Sequence, residues 1–277
     1  MNISYIGGGP RLEACCKFFD NRDDFEPVGF FCNPLEACIQ TAGKYNGEIY
    51  TDTDSLCRNA QIILIATEDN MLPLVIHTLS RLHISGKIII SVAEGISARD
   101  LDNGYENTYV ALTPPTAFEN MNDKELSEGC AVCEGYGAQY DDLCEAFKNS
   151  DMNVTALTPA QMKLYRANMH LLKNGILALT LTATKLSNMI TGDKQHSITP
   201  AVRYAIKNAS SGKDAIAEPY KTGKPGYVKE LIKIFENNGI DSIAQLYGSV
   251  AKVLVENSDM EYDVADDIYR MLRMINR

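Results

Sequence analysis

The chain has 277 residues, length for two domains, and its 45% hydrophobic and 22% charged content is that of a globular protein with ample core material. A formal net charge of −10 argues against nucleic acid and anionic membrane surfaces as general partners, though a small anionic ligand needs only local positive charge. No stretch reaches the roughly 18 uninterrupted apolar residues of a membrane span, and the N-terminus carries no basic region or cleavage site of a secretion signal, so a cytoplasmic location without membrane contact is expected.

The first element is the apolar run Ile3, Tyr5, Ile6, a buried strand by its composition. Gly7, Gly8 and Gly9 follow, and Pro10 suits the first turn of a helix, where its missing N–H costs nothing. Strand, glycine turn and helix in succession form the setting in which a glycine pattern means dinucleotide binding. Gly7 makes the tight turn, and Gly9 lets the backbone approach a pyrophosphate held by the free N–H groups at the helix start. The third glycine of G-x-G-x-x-G is replaced by Leu12. A plain structural turn is the competing reading, and the flanking strand and helix weigh against it.

Pro27 to Cys32 reads as a second strand, after which Asn33 suits an N-cap, Pro34 the N1 position and Glu36 the N3 position of a capping box. In NAD-binding Rossmann domains an acidic residue near here, about 20 residues past the glycines, bonds the ribose 2′-OH. Cys32 and Asn33 stand there instead, and no carboxylate repels a 2′-phosphate. NADP is therefore expected, with NAD possible, and Arg11 is the nearest candidate for a phosphate contact. Gly47 to Tyr50 is a short strand, and Gln61 to Ala66 and Lys87 to Val92 are buried strands separated by a helix ending near Arg81. Continuous apolar runs alternating with amphipathic helices predict a parallel sheet covered on both faces, with its ligand crevice at the carboxyl ends of the strands. Ala66, Thr67, Asp69 and Ala93 fall at those ends. Strands at Asn107 to Leu112, Cys130 to Glu134 and Asn153 to Ala156, with a helix from Gln139 to Lys148, complete a first domain of residues 1–156.

All eight cysteines lie within the first 144 residues of the chain. Only Cys130 and Cys133 have a metal-like spacing, but they sit in a strand-like run with no second pair or histidine, so no metal site is expected and reduced thiols are the better reading.

Residues 157–277 change character. Thr158 and Pro159 fit the N-cap and N1 of one long helix running to Ile190, with Thr191-Gly192-Asp193 as its stop. Shorter helices follow at about Pro200 to Ala209, Gly226 to Asn237, Ser242 to Asn257 and Tyr262 onward, with no convincing strand. The fold class is α/β plus all-α, a doubly wound, mostly parallel Rossmann sheet followed by a helical domain built on one long helix. Leu164, Leu171, Leu172, Ile176 and Leu179 of that helix read as core. Arg166, His170, Lys173 and Asn174 recur at helical spacing and share one face. A solvated face is one reading; a polar wall of the cofactor crevice is the other, because the helix begins at the domain junction.

These motifs resemble the two-domain Rossmann-like oxidoreductases with a helical C-terminal domain of unknown function, distant relatives of pyrroline-5-carboxylate reductase and of the 6-phosphogluconate dehydrogenase superfamily. The N-terminal resemblance lies in Ile6 to Gly9, Ile62 to Ala66 with Asp69, and Ser91 to Ser97; the C-terminal one in Tyr165 with Asn174, in Glu218 to Lys224, and in Leu246-Tyr247. The resemblance implies a nicotinamide cofactor, usually NADPH, and a homodimer formed through the helical domain. It implies Tyr165 and Asn174 as site residues and supplies no substrate. Two histidines of the pattern are replaced, by Thr113 and Arg166, leaving His170 one turn on as the substitute proton donor. The expected activity is hydride transfer between NADP(H) and a small C=O or C=N compound of the keto or imino acid class, bound between the domains, with Arg166 and Lys173 suited to its carboxylate. The alternative is an NADP(H)-binding sensor or regulatory protein without efficient catalysis.

Overall fold

The computed structural model describes residues 1–20, 22–191, 198–209, 212, 216, 219–220 and 223–275. They group into two compact units, Met1–Asn174 and Gly175–Arg277.

The first unit is built on one eight-stranded sheet. Its strands are β1 (Asn2–Gly7), β2 (Glu26–Phe31), β3 (Glu48–Ile49), β4 (Ile62–Ala66), β5 (Ile88–Ser91), β6 (Thr108–Thr113), β7 (Ala131–Tyr136) and β8 (Val154–Ala156). Between them run α1 (Gly9–Phe19), α2 (Glu36–Lys44), α3 (Thr53–Asn59), α4 (Leu72–Arg81), α5 (Asp123–Ser127) and α6 (Tyr140–Asn149). The spatial order is β3-β2-β1-β4-β5-β6-β7-β8, and every pairing is parallel except β6 with β7. The first six strands thus follow the doubly wound order 3-2-1-4-5-6, whose switch point lies between β1 and β4.

The central strand shows why these residues form this sheet. All five residues of β4 are buried. Ile62, Leu64 and Ala66 enter one core with residues of α1, α2 and α6, whereas Ile63 and Ile65 enter a second core with residues of α3 and α4. That alternation is the period of two of a strand, here with an apolar layer on each face, and each such side chain contributes about 1.5–3 kcal/mol relative to exposure.

Two local expectations fail between β2 and α2. The helix begins at Glu36 with Leu35 as N-cap and no side-chain cap, so Asn33 does not cap it. The N–H groups of Ala37 and Cys38 instead donate to the carbonyls of Pro34 and Leu35, which satisfies them without a cap. The same reversal brings the Cα atoms of Cys32 and Cys38 to 6.1 Å, within reach of a disulfide, and the two are bonded. The reading of all eight cysteines as reduced thiols is corrected for this pair; the other six are free.

The long helix α7 (Pro159–Thr191) starts where expected. The Thr158 hydroxyl accepts the Gln161 N–H while the Gln161 side chain accepts the Thr158 N–H, a capping box. Its residues to Asn174 group with the sheet, and those from Gly175 with the second unit; the stop at Gly192-Asp193 lies outside the described residues. The expectation that its leucines are core is overturned. Leu164 is 72% exposed and Leu171 73%, and Leu172, Ile176 and Leu179 are exposed as well. Apolar periodicity marks a face that gains by burial but does not say what covers it.

The second unit adds α8 (Ile198–Ala209), α9 (Pro225–Asn237), α10 (Asp241–Glu256) and α11 (Tyr262–Ile275). Val228 and Ile232 of α9, Ala244, Ala251 and Val255 of α10, and Ile268 and Leu272 of α11 close its core together with Tyr220. Tyr220 donates to the Tyr247 hydroxyl at 2.9 Å, joining two of the three stretches that carry the C-terminal resemblance. Glu218, Lys221 and Thr222 of that resemblance lie outside the described residues. No strand occurs among the described residues of this unit, and no described helix of the protein is long and apolar enough to cross a membrane.

Candidate functional site

At the switch point β1 ends in Gly7, which pairs with Ala66 of β4. A Cβ on Gly7 would lie 2.4 Å from the Ala66 carbonyl oxygen, and one on Gly8 3.0 Å from the Ala37 Cβ. Glycine at these two positions lets strand, helix and loop close up. Gly9 differs: a Cβ there meets nothing within 4 Å, but its φ of +71° favours glycine. Pro10 sits in the first turn of α1, whose N-cap Gly8 makes no side-chain cap bond, and no acidic residue stands in that turn. The helix therefore presents uncapped N–H groups and its positive dipole end with no competing carboxylate of its own, the requirements of an anion cradle.

Beside this cradle opens a cavity of about 500 Å³. Gly7, Gly8, Cys32, Asn33 and Thr67 line it, five of the residues singled out in the sequence. Its wall is completed by Phe31, Ala37 and residues of the β4–α4 segment, among them Glu68, Met71 and Val75. Those contributions are invisible in the sequence pattern, because they depend on which loops the strand order brings together. Cys32 takes part as half of the disulfide, so its thiol is not free. Gly9 and Pro10 are exposed beside the cavity rather than in its wall, and Ala66 is buried at the end of β4.

Arg11 does not face that cavity. Its guanidinium donates to both oxygens of Glu119, to the Asp69 carboxylate at 2.6 Å and to the Thr67 carbonyl at 2.8 Å. Burial works against the Arg11 charge, but the hydrogen bonds to Glu119 and Asp69 outweigh it and raise its pKa. Burial would likewise raise Glu119; the bonds from Arg11 win and hold its carboxyl below the usual range. Asp69 also accepts the Glu94 N–H at 3.4 Å, and Glu94 pairs with Lys173 of α7 at 3.3 Å. Arg11, Asp69, Glu94 and Lys173 thus form one polar rim along the carboxyl ends of β1, β4 and β5. Ala93 and Thr113 line a small recess in it together with Glu94, Glu119 and Lys173. Glu119 had no signal in the sequence, standing 108 positions from Arg11.

The two positions where histidines of the resemblance are missing touch each other. Arg166 donates to the Thr113 hydroxyl at 3.3 Å. Its Nε is buried without a partner, and burial lowers its pKa against the pull of Glu134 and Asp100. Glu134 is itself buried, its carboxylate accepting the Ala98 N–H at 3.1 Å. Arg166, Lys163, Glu134, Asp100 and Ser97 border a second opening of about 360 Å³. Tyr165 is half-buried, and burial raises its hydroxyl pKa. His170 and Asn174 are exposed. Of the polar stripe, then, Arg166 and Lys173 engage the strand-end loops. No group of three or more His, Cys, Asp or Glu side chains among the described residues could hold a metal ion.

Fold and cleft together define a Rossmann-like domain followed by a helical unit. The same two-part fold occurs in solved structures. A provisionally named NADP oxidoreductase from Bacteroides fragilis is similar over 92% of this chain and 98% of its own, with a TM-score of 0.69 at 13% identity. An imine reductase from Bacillus cereus is similar over 97% and 99% of the two chains (TM-score 0.57, 13% identity). A Plasmodium falciparum pyrroline carboxylate reductase, solved with NADP bound, is similar over 99% and 97% (TM-score 0.52, 15% identity). At these identities the likeness is one of fold. No protein-family model matches the sequence, and no curated protein matches it.

Proposed function

We propose that the protein is an oxidoreductase that binds NADP(H) in the cleft at the β1–α1 turn and transfers hydride to or from a small C=N or C=O compound. The observation that carries this is the cradle. Gly7 and Gly8 admit close backbone approach, α1 begins uncapped, and a cavity of about 500 Å³ opens beside them at the switch point. The names of the fold neighbours, an NADP oxidoreductase, an imine reductase and a pyrroline carboxylate reductase, support the same class. The choice of NADP over NAD is supported by Cys32 and Asn33 in the place where NAD-binding domains carry an acid.

When bound, the nicotinamide supplies or accepts the hydride. The chain's residues bind and orient. Gly7, Gly8 and Gly9, with the first turn of α1 at Pro10, hold the pyrophosphate, and Asn33 and Thr67 flank the adenosine side. Ala66, Asp69 and Ala93 shape the strand ends, with Arg11 fixing the rim through Asp69. Arg166 and Lys173 attract a substrate carboxylate. Asn174 offers both a donor and an acceptor, Tyr165 a hydroxyl, and His170 an imidazole that can carry the proton. The exposed apolar face of α7 supports homodimerisation through the helical part of the chain, with a second copy covering Leu171, Leu177 and Leu181.

The sensor reading keeps one specific support: Arg166 and Thr113 bond each other where the resemblance expects two histidines. Titrating the protein with NADPH and NADH, then following oxidation of the reduced cofactor against cyclic imines and keto acids, separates the readings. Tight NADPH binding with turnover is expected. Gly9→Asp meets no atom within 4 Å but strains a backbone φ of +71°, so circular dichroism checks its fold, and the folded variant is expected to lose binding. Binding unaffected by that substitution would overturn the cradle assignment; binding without turnover would move the protein to the sensor class.

A further inference from the structure

Away from the cleft, β7 and α6 bring together three reactive groups. Cys133 and Gly135 lie two apart on β7 and so share one face of the strand. Tyr140 and Cys144 lie four apart on α6 and share one face of the helix. A Cβ on Gly135 would lie 2.5 Å from the Tyr140 ring, so glycine there admits the ring against the strand. The Tyr140 hydroxyl then sits 3.6 Å from the Cys133 sulfur, and Cys144, one turn on from Tyr140, packs against the same core as Cys133. Cys133 is buried and Cys144 half-buried.

The two thiols are electrostatically unlike. The hydrogen bond from Cys133, with a further one from Tyr140, pulls the Cys144 thiol down to about 7 despite its burial, while Asp141 opposes and Lys148 assists. The Cys133 thiol is pushed far up by its bond to Cys144 and by burial, so it stays protonated. A half-buried thiolate on a helix, with a buried protonated thiol on the strand beside it, is the arrangement that thiol oxidation selects.

We propose that Cys144 is an oxidation site for hydroperoxides and that Cys133 resolves it to an intramolecular Cys133–Cys144 disulfide. The Cys144 thiolate attacks one peroxide oxygen. The O–O bond breaks, a sulfenic acid forms, and the departing alkoxide or hydroxide takes a proton from solvent. The Cys133 sulfur then attacks the sulfenic sulfur, the S–S bond forms, the S–O bond breaks, and the hydroxyl leaves as water with the Cys133 proton. The dithiol loses two electrons and the peroxide gains them. The C-x-x-C pair of Cys130 and Cys133 is not the reactive one; the partner stands eleven positions on, across a strand and a helix.

The test uses full-length protein, reduced, desalted and treated with stoichiometric hydrogen peroxide. Peptide mapping without reduction is expected to recover a Cys133–Cys144 crosslink distinct from Cys32–Cys38, and Cys144→Ser to lose it. In Cys133→Ser and Cys133→Ala, dimedone is expected to label Cys144. In the unmodified sequence, the pH profile of Cys144 alkylation is expected to turn below that of an ordinary thiol, and to move upward in Tyr140→Phe. An ordinary midpoint for Cys144, or peroxide consumption of Cys130 and Cys144 at equal rates without the crosslink, would overturn the proposal.

Discussion

Strand β4 and the leucine-rich face of helix α7 are both apolar and meet opposite fates. Ile62, Ile63, Leu64, Ile65 and Ala66 are all at most 1% exposed, whereas Leu171 of α7 is 73%, Leu181 61% and Ile190 81% exposed. A central strand is covered from both sides by helices of its own chain. The apolar face of α7 is longer than the cover this chain gives it. The contrast teaches that an apolar run is a demand for burial, and only the topology says whether the same chain meets it. We read the open face as the place of a second copy.

The largest expected effect tests the closed side of that comparison. Leu64→Ala leaves a cavity between two packed layers and should cost about 2–5 kcal/mol in urea unfolding, while Leu171→Ala should cost far less at protein concentrations that disfavour association. Equal losses at the two positions would erase the distinction. The open side is tested next: Leu171→Glu with Leu181→Glu should convert a dimer to a monomer in light scattering with little loss of helical signal. A wild-type protein that is monomeric at micromolar concentration would remove the second copy from the argument.

A smaller effect lies at the rim. Because the Glu119 carboxyl titrates below its unfolded value, its contribution is fully present at neutral pH and is lost as pH falls through the lowered pKa. Glu119→Gln should therefore lower the melting temperature at pH 7, by an amount corresponding to about 1 kcal/mol. The difference from wild type should shrink toward pH 3. A difference independent of pH would mean that packing, not charge, holds Arg11. The smallest effect is expected at His170, exposed on α7. His170→Ala should change stability by no more than about 0.5 kcal/mol, while lowering turnover if the imidazole moves the proton.

The strands, the glycine turn and the helical second half were legible from the residues alone, because each rests on neighbours within a few positions. Ile3 to Gly9 encode a strand, a turn and a helix start through period, positive φ and the missing cap, all local properties. Thr158 and Gln161 likewise encode the start of α7. Contacts that span the sheet order depend on how distant segments pack. Asn33 lost its capping role because backbone carbonyls of Pro34 and Leu35 took the N–H groups first. Arg11 was drawn from a phosphate role to Glu119, 108 positions away, because the loops after β1 and β6 converge on one edge. Cys32 met Cys38, and Cys133 met Tyr140 and Cys144, through a chain reversal and a strand–helix packing that no spacing rule announces. Periodicity fixes which face of an element seeks burial; the strand order and the number of covering elements decide which face receives it.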